Sequence, residues 1–182
     1  HSRDPDQSVE FWMEDNQAEP AGWGDYVKGV AWALEEAGYP LRGWEGAVTG
    51  DVPIGAGLSS SAALELATAR AFAATSDFPW EATKMATIGQ RAENEGVGVT
   101  CGIMDQLISV VGREGHAVGS DCRSLAVTPL PIPAPLSLLI VGWDVQRGLG
   151  DSESSLRREE CVCGARCLGR RSLREVSLGT FR

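Results

Sequence analysis

The residues best suited to chemistry stand together at Pro53-Ile54-Gly55-Ala56-Gly57-Leu58-Ser59-Ser60-Ser61-Ala62-Ala63. Gly55 and Gly57 allow positive φ and let a ligand come close to the backbone. The run of three serines then opens an Ala- and Leu-rich stretch that reads as a helix over Ser59–Ala74. A helix start presents N–H groups without intrahelical acceptors and the positive end of the peptide dipoles. Backbone donors and hydroxyls in that order suit an anion, and phosphate best. The loop is not a P-loop, because it lacks the Gly-Lys-Ser/Thr ending, and it is not Gly-x-Gly-x-x-Gly. The plain structural alternative is a helix cap after a tight turn.

A second group follows at Ala92-Glu93-Asn94-Glu95 and Cys101-Gly102-Ile103-Met104-Asp105-Gln106. Asp105 stands among Ile103, Met104 and Leu107, so partial burial is expected, and a buried acid needs a cation or a donor. Asp105 is therefore a candidate base and Glu93 a candidate metal ligand. The alternatives are an Asp that caps a turn and a Glu on a solvated helix face.

These residues need elements to hold them. Val27, Val30, Ala31 and Leu34 fall on one helical face, with Asp25 at its start and Gly38 and Pro40 at its end. Trp44–Val52 reads as a strand, and Pro79 opens a helix running to about Glu95. Gly96–Gly102 must turn, and Met104–Val111 fits either helix or strand. Ala117–Val127 and Leu136–Val141 read as strands on either side of a Pro-rich loop, with His116 at a hairpin turn. Ser152–Leu168 reads as a charged helix. The mixture is α+β.

Composition bounds the function. The 182 residues are 43% hydrophobic and 23% charged, ordinary for a globular protein. With 25 acids against 16 bases the net charge is −9, which disfavours a nucleic-acid partner. No stretch approaches the roughly 18 apolar residues of a membrane span. Five cysteines, three of them at Cys161, Cys163 and Cys167, make no disulfide framework and suit a reducing cytoplasm. Zinc at those three is disfavoured, because two thiolates on one helix face plus one make a poor tetrahedral set. No Gly-x-Ser-x-Gly elbow accompanies His116, which disfavours a Ser/His/Asp hydrolase.

Pro53–Ala63 resembles the second motif of the GHMP kinases, which phosphorylate galactose, homoserine, mevalonate and phosphomevalonate. Ala92–Glu95, Cys101–Gln106, Asp121-Cys122-Arg123-Ser124-Leu125, Ser152-Glu153, Arg157-Arg158 with Cys161, and Ser172–Val176 narrow the resemblance to the galactokinases. It runs from about Trp23 to the end. It implies the GHMP kinase fold, with a first lobe like domain 2 of ribosomal protein S5 over residues 1–143 and the opening of a second lobe over 144–182.

The resemblance also implies ATP-dependent phosphorylation of D-galactose with Mg²⁺. Gly55, Ala56, Gly57, Leu58, Ser59, Ser60 and Ser61 would cover the ATP phosphates, and Ser61 and Glu93 would hold the magnesium. Asp105 would act as base toward the sugar, and Gly102 would contact it. Ser154 takes the place of a sugar-contacting Tyr, which leaves another sugar such as N-acetylgalactosamine open. The family's N-terminal signature and third Gly-rich motif have no counterpart here. The resemblance therefore implies a truncated chain, expected to be inactive alone, and leaves open a catalytically dead regulatory relative. A truncated second lobe is expected to expose Leu156, Cys163, Cys167, Leu168 and Leu173.

Overall fold

The computed structural model describes residues 8–12, 22–141, 152–177 and 179. The chain divides into two compact units, His1–Gln146 and Arg147–Arg182.

In the first unit, α1 (Gly24–Glu36) buries Tyr26, Val27, Val30, Ala31, Ala33 and Leu34, the face expected from their spacing. It ends in a Schellman motif. Gly38 takes φ +82° and donates to the Glu35 carbonyl at 2.8 Å, and Tyr39 N–H donates to Leu34 at 3.1 Å. Helix α2 (Ser60–Ser76) buries Leu66, Ala69, Phe72 and Ala73, and stops at Asp77, also left-handed. Leu34, Leu66, Phe72, Met85 and Ile88 join the main core, with Trp44 edge-on to Phe72 at 5.8 Å.

Helix α3 (Ala82–Arg91) starts later than Pro79 suggests. Trp80 sits beneath the Arg70 guanidinium at 4.9 Å, and the first helical acceptor is the Glu81 carbonyl. The helix also does not run on to Glu95 as α-helix. It widens into a π-helical turn at Ala92–Val97, closed by Gly98 at φ +83°. Beyond the Gly98–Ile103 turn, α4 (Met104–Val111) settles the helix-or-strand ambiguity as helix, burying Gln106 and Leu107.

The expected strand over Ala117–Val127 is a hairpin instead. Strand β1 (His116–Asp121) pairs antiparallel with β2 (Ala126–Pro131), Val118 facing Pro129. The Asp121 carboxylate accepts Arg123 and Ser124 N–H at 2.9 and 3.2 Å, and Leu125 turns the corner at φ +57°. Asp121 and Ser124 are thus turn formers. His116 begins β1 rather than occupying the turn, its N–H donating to Arg113 at 3.1 Å. Pro129 and Pro131, expected in a loop, lie in β2. Ile132 N–H donates to Gly115 at 2.8 Å, so in this register the odd-numbered β2 positions turn their nitrogens to the outer edge. There proline costs no ladder bond.

Trp44–Val52 and Leu136–Val141, both expected as strands, pair with nothing among the described residues and have no regular structure. A strand exists by its partner, and Leu138, Leu139, Ile140 and Val141 lie exposed.

The second unit holds α5 (Ser152–Cys167), followed by a short 3₁₀ turn at Leu173–Glu175. The helix ends one residue short of Leu168, at another glycine stop. Gly169 takes φ +65°, and Arg170 N–H donates to Ala165 at 2.9 Å. Leu156, Cys163, Cys167 and Leu173 are exposed and Leu168 is half-buried. Among the described residues no helix is long and apolar enough to cross a membrane.

Candidate functional site

The glycine-rich loop enters α2 by alternating left-handed residues. Gly55 and Gly57 take φ +73° and +70°, with open space where a Cβ would stand. Ser59 is also left-handed, at φ 63° and ψ 41°, a conformation that costs a non-glycine residue about 1–3 kcal/mol. Ser59 takes the N-cap position, but its hydroxyl makes no capping bond. Its carbonyl instead accepts Ala63 N–H at 3.0 Å, the first bond of the helix. Ser60, Ser61 and Ala62 N–H therefore have no intrahelical acceptor. Residues 53–58 are exposed and Ser59, Ser60 and Ser61 half-buried. The arrangement offers an approaching anion backbone donors and three hydroxyls.

One turn along α2 from Ser61 stands Glu65, the one charged side chain on the buried face of that helix. Gln106 of α4 donates its side-chain amide to Glu65 Oε2 at 3.0 Å and to Glu93 Oε2 at 2.8 Å. Its Nε2 also lies 3.7 Å from the Cys101 thiol. Glu65 and Gln106 are 0% exposed and Glu93 6%. The solvated helix face offered as an alternative for Glu93 is therefore excluded. Ala92 and Glu93 continue the buried Met85, Ala86 and Gly89 face of α3 at helical spacing, and the π turn then brings Gly96 against α1. That approach needs glycine. A Cβ on Gly96 would stand 2.9 Å from Gly29 Cα, and one on Gly29 would stand 3.1 Å from the Ala92 carbonyl oxygen.

The electrostatics have one sign. Burial, with the Glu93 charge second, pushes the Glu65 carboxyl up to about 8, against the opposing Gln106 bond. Burial and the same two glutamates push Tyr26 up to about 12. Burial and the Glu93 hydrogen bond push the Cys101 thiol up to about 12. Anions are penalised here and a cation would be favoured. Among the described residues no three His, Cys, Asp or Glu side chains form a metal cage. Carboxylate and hydroxyl oxygens beside an anion loop fit a hard cation that keeps waters and takes ligands from a bound phosphate, as Mg²⁺ does.

Asp105 lies in the first turn of α4, half-buried as expected, and its charge adds to the rise at Glu65. Gly102 is exposed, and open space surrounds the position of a Cβ. The turn between them is tied down. Cys101 N–H donates to Asn94 Oδ1 at 2.7 Å, and Gln90 Nε2 donates to the Cys101 carbonyl at 3.2 Å. The structure thus gathers Glu93 and Asp105 about the Glu65–Gln106 pair, with Ser61 one turn away on α2. Ser154 falls within α5 of the second unit, and its side chain lies outside the described residues. Sequence reasoning missed Glu65 and Gln106 as site residues. An acid on the Ala62–Leu66–Ala69 face, four residues after Ser61, was the available signal for Glu65.

Residues 25–113 match the GHMP kinases N terminal domain, a span that takes in α1, the glycine-rich loop, the π turn and α4. This segment has the fold of a GHMP kinase N-terminal domain. The fold is that of galactokinases in particular. The crystal structure of Lactococcus lactis galactokinase complexed with galactose matches at a TM-score of 0.82 and 27% identity. The match covers 95% of this chain and 46% of that one, so the chain spans less than half the length of this galactokinase.

Proposed function

We propose that the protein carrying these residues is a galactokinase, transferring the γ-phosphoryl group of ATP to D-galactose to give ADP and galactose 1-phosphate. The observation that carries the reading is the likeness to Lactococcus lactis galactokinase, solved with galactose, over 95% of this chain. The open, left-handed loop ahead of α2 supports it independently, since it suits the phosphates of a nucleotide.

In this reading Gly55–Ser61 cradle the ATP phosphates through backbone N–H groups and hydroxyls. Ser61 and Glu93 hold Mg²⁺, which neutralises phosphate charge when bound. Asp105 accepts the proton of the attacking sugar hydroxyl as the new P–O bond forms and ADP departs with the bridging oxygen. Gly102, with no side chain of its own, lets the sugar close on the Cys101–Ile103 turn. Ser154 comes from the second lobe, of which residues 144–182 are the opening, while residues 1–143 belong to the first. A reducing cytoplasm suits the unpaired cysteines Cys101, Cys122, Cys161, Cys163 and Cys167.

The test is a coupled ADP-release assay on the complete protein with galactose and with N-acetylgalactosamine. Galactose-dependent release that Asp105→Asn removes supports the reading. Release with N-acetylgalactosamine alone would move the substrate to that sugar, and release with neither would point to a regulatory relative.

A further inference from the structure

The reading above gives no role to Glu65 or Gln106, yet these are the most deeply buried polar side chains beside Glu93. Burying them costs stability. Glu65 Oε1 and Gln106 Oε1 are shielded from solvent without a hydrogen-bond partner, and each such atom costs about 1–3 kcal/mol. An apolar pair of the same volume would pack the site at lower cost. Room has also been made for the amide, since a Cβ on Gly89 would stand 3.0 Å from Leu66 Cδ2 and 3.3 Å from Gln106 Cγ.

The geometry answers what is gained. One amide nitrogen reaches two carboxylates, at 3.0 and 2.8 Å, and so ties α2, the π turn and α4 at a single point. The residue before Gln106 is Asp105, and the residue four before Glu65 is Ser61. The three elements joined are those that carry the three groups the chemistry needs. We propose that Gln106, braced from behind by Glu65, is a positioning residue: its amide fixes the Glu93 carboxylate for the metal and locks the α4 turn bearing Asp105. Gln106 does not touch metal or substrate. It removes the freedom of Glu93 to swing, as outer partners of metal ligands do. The proposal rests on Glu93 being a magnesium ligand.

The experiment reads metal binding apart from turnover. Mn²⁺ with ADP is titrated onto the protein by water-proton relaxation, and ADP alone is titrated in parallel. Gln106→Leu is expected to weaken the Mn²⁺–ADP complex about tenfold or more, the usual cost of removing such a partner, with metal-free ADP binding unchanged. In the kinase assay the half-saturating Mg²⁺ rises by a similar factor, and the turnover still missing at saturating Mg²⁺ reads the loosened Asp105 turn. Glu65→Gln keeps an acceptor for the amide and is expected to stay within about threefold of wild type, well short of that cost. Gln106→Leu leaves two carboxylates without their donor and can fail to fold. The double variant Glu65→Leu/Gln106→Leu removes one of the two stranded carboxylates and leaves only Glu93, at the edge of the site, without its donor; it is expected to fold with the same loss of metal affinity. Unchanged Mn²⁺–ADP affinity in a folded Gln106 variant overturns the proposal. Glu93→Gln separates the two levels. If it weakens the complex and the Gln106 variants do not, only the positioning role fails. If it too leaves the complex unchanged, the metal reading and this proposal fall together.

Discussion

Gly96→Ala should destabilise the protein by separating α1 from the π turn. The added Cβ would stand 2.9 Å from Gly29 Cα and 3.7 Å from the Gly29 carbonyl carbon and oxygen. Carbon pairs rest at about 3.5–4.0 Å, so the methyl intrudes by more than half an ångström. The obstacle is backbone, and no rotamer change removes it. Helix α1 must shift, and it carries Val30, Ala33 and Leu34, all fully buried. Overpacking of this kind costs about 1–3 kcal/mol. Alanine returns up to about 1 kcal/mol over glycine in a helical interior. Because the contact cannot relax locally, the overpacking cost falls toward its upper end, for a net loss of about 1–2 kcal/mol. At about 2–4 °C per kcal/mol for a chain of this size, Tm falls by about 2–8 °C. Gly29→Ala, with its nearest atom at 3.1 Å, should cost less. Gly50→Ala meets nothing within 4 Å and should stay within about 0.5 kcal/mol of wild type. Urea unfolding followed by circular dichroism measures all three. A Gly96→Ala protein as stable as Gly50→Ala would refute the claim that this crossing depends on glycine.

Other consequences can be measured as directly. Glu65 binds its proton more tightly folded than unfolded, so its contribution to stability is full below about 4.5, declines as pH rises, and is lost by about 8. The slope approaches about 1.4 kcal/mol per pH unit for one proton, and Glu65→Gln should flatten it; an unchanged urea midpoint profile between pH 5 and 8 would count against a protonated Glu65. Ser59→Gly and Ser59→Ala both remove the hydroxyl, but only glycine tolerates φ 63° without strain, so the glycine variant should be the more stable by about 1 kcal/mol in thermal unfolding. Asp105→Asn should lower turnover by about 10²–10⁴-fold while ADP affinity, measured by calorimetry, holds; retained turnover would make Asp105 structural.

What the sequence revealed, and what it hid, divides along one physical line. Helix α1 was legible because its burial follows a 3.6-residue period and its end carries its own glycine and proline. The glycine-rich loop was legible because its conformational demand is local. The strands were not. Pairing is not local, so the expectation at Trp44–Val52 and Leu136–Val141 found no partner among the described residues, and a four-residue turn split Ala117–Val127. The site shows the same division. Glu93 and Asp105 stood out by residue type and by motif resemblance, but the partner that meets Glu93 lies on another element. Glu93 lies four residues after the buried Gly89 and seven after the buried Ala86, so helical spacing carries it inside to meet Gln106. Gln106 was unremarkable in sequence because an amide carries no charge and titrates nothing. Its importance lies in reaching two carboxylates that are 28 positions apart, at 65 and 93, a relation that exists only once α2, α3 and α4 have packed. A motif can name the groups that meet the ligand. The groups that hold those groups still are found by asking which buried donor each one answers to.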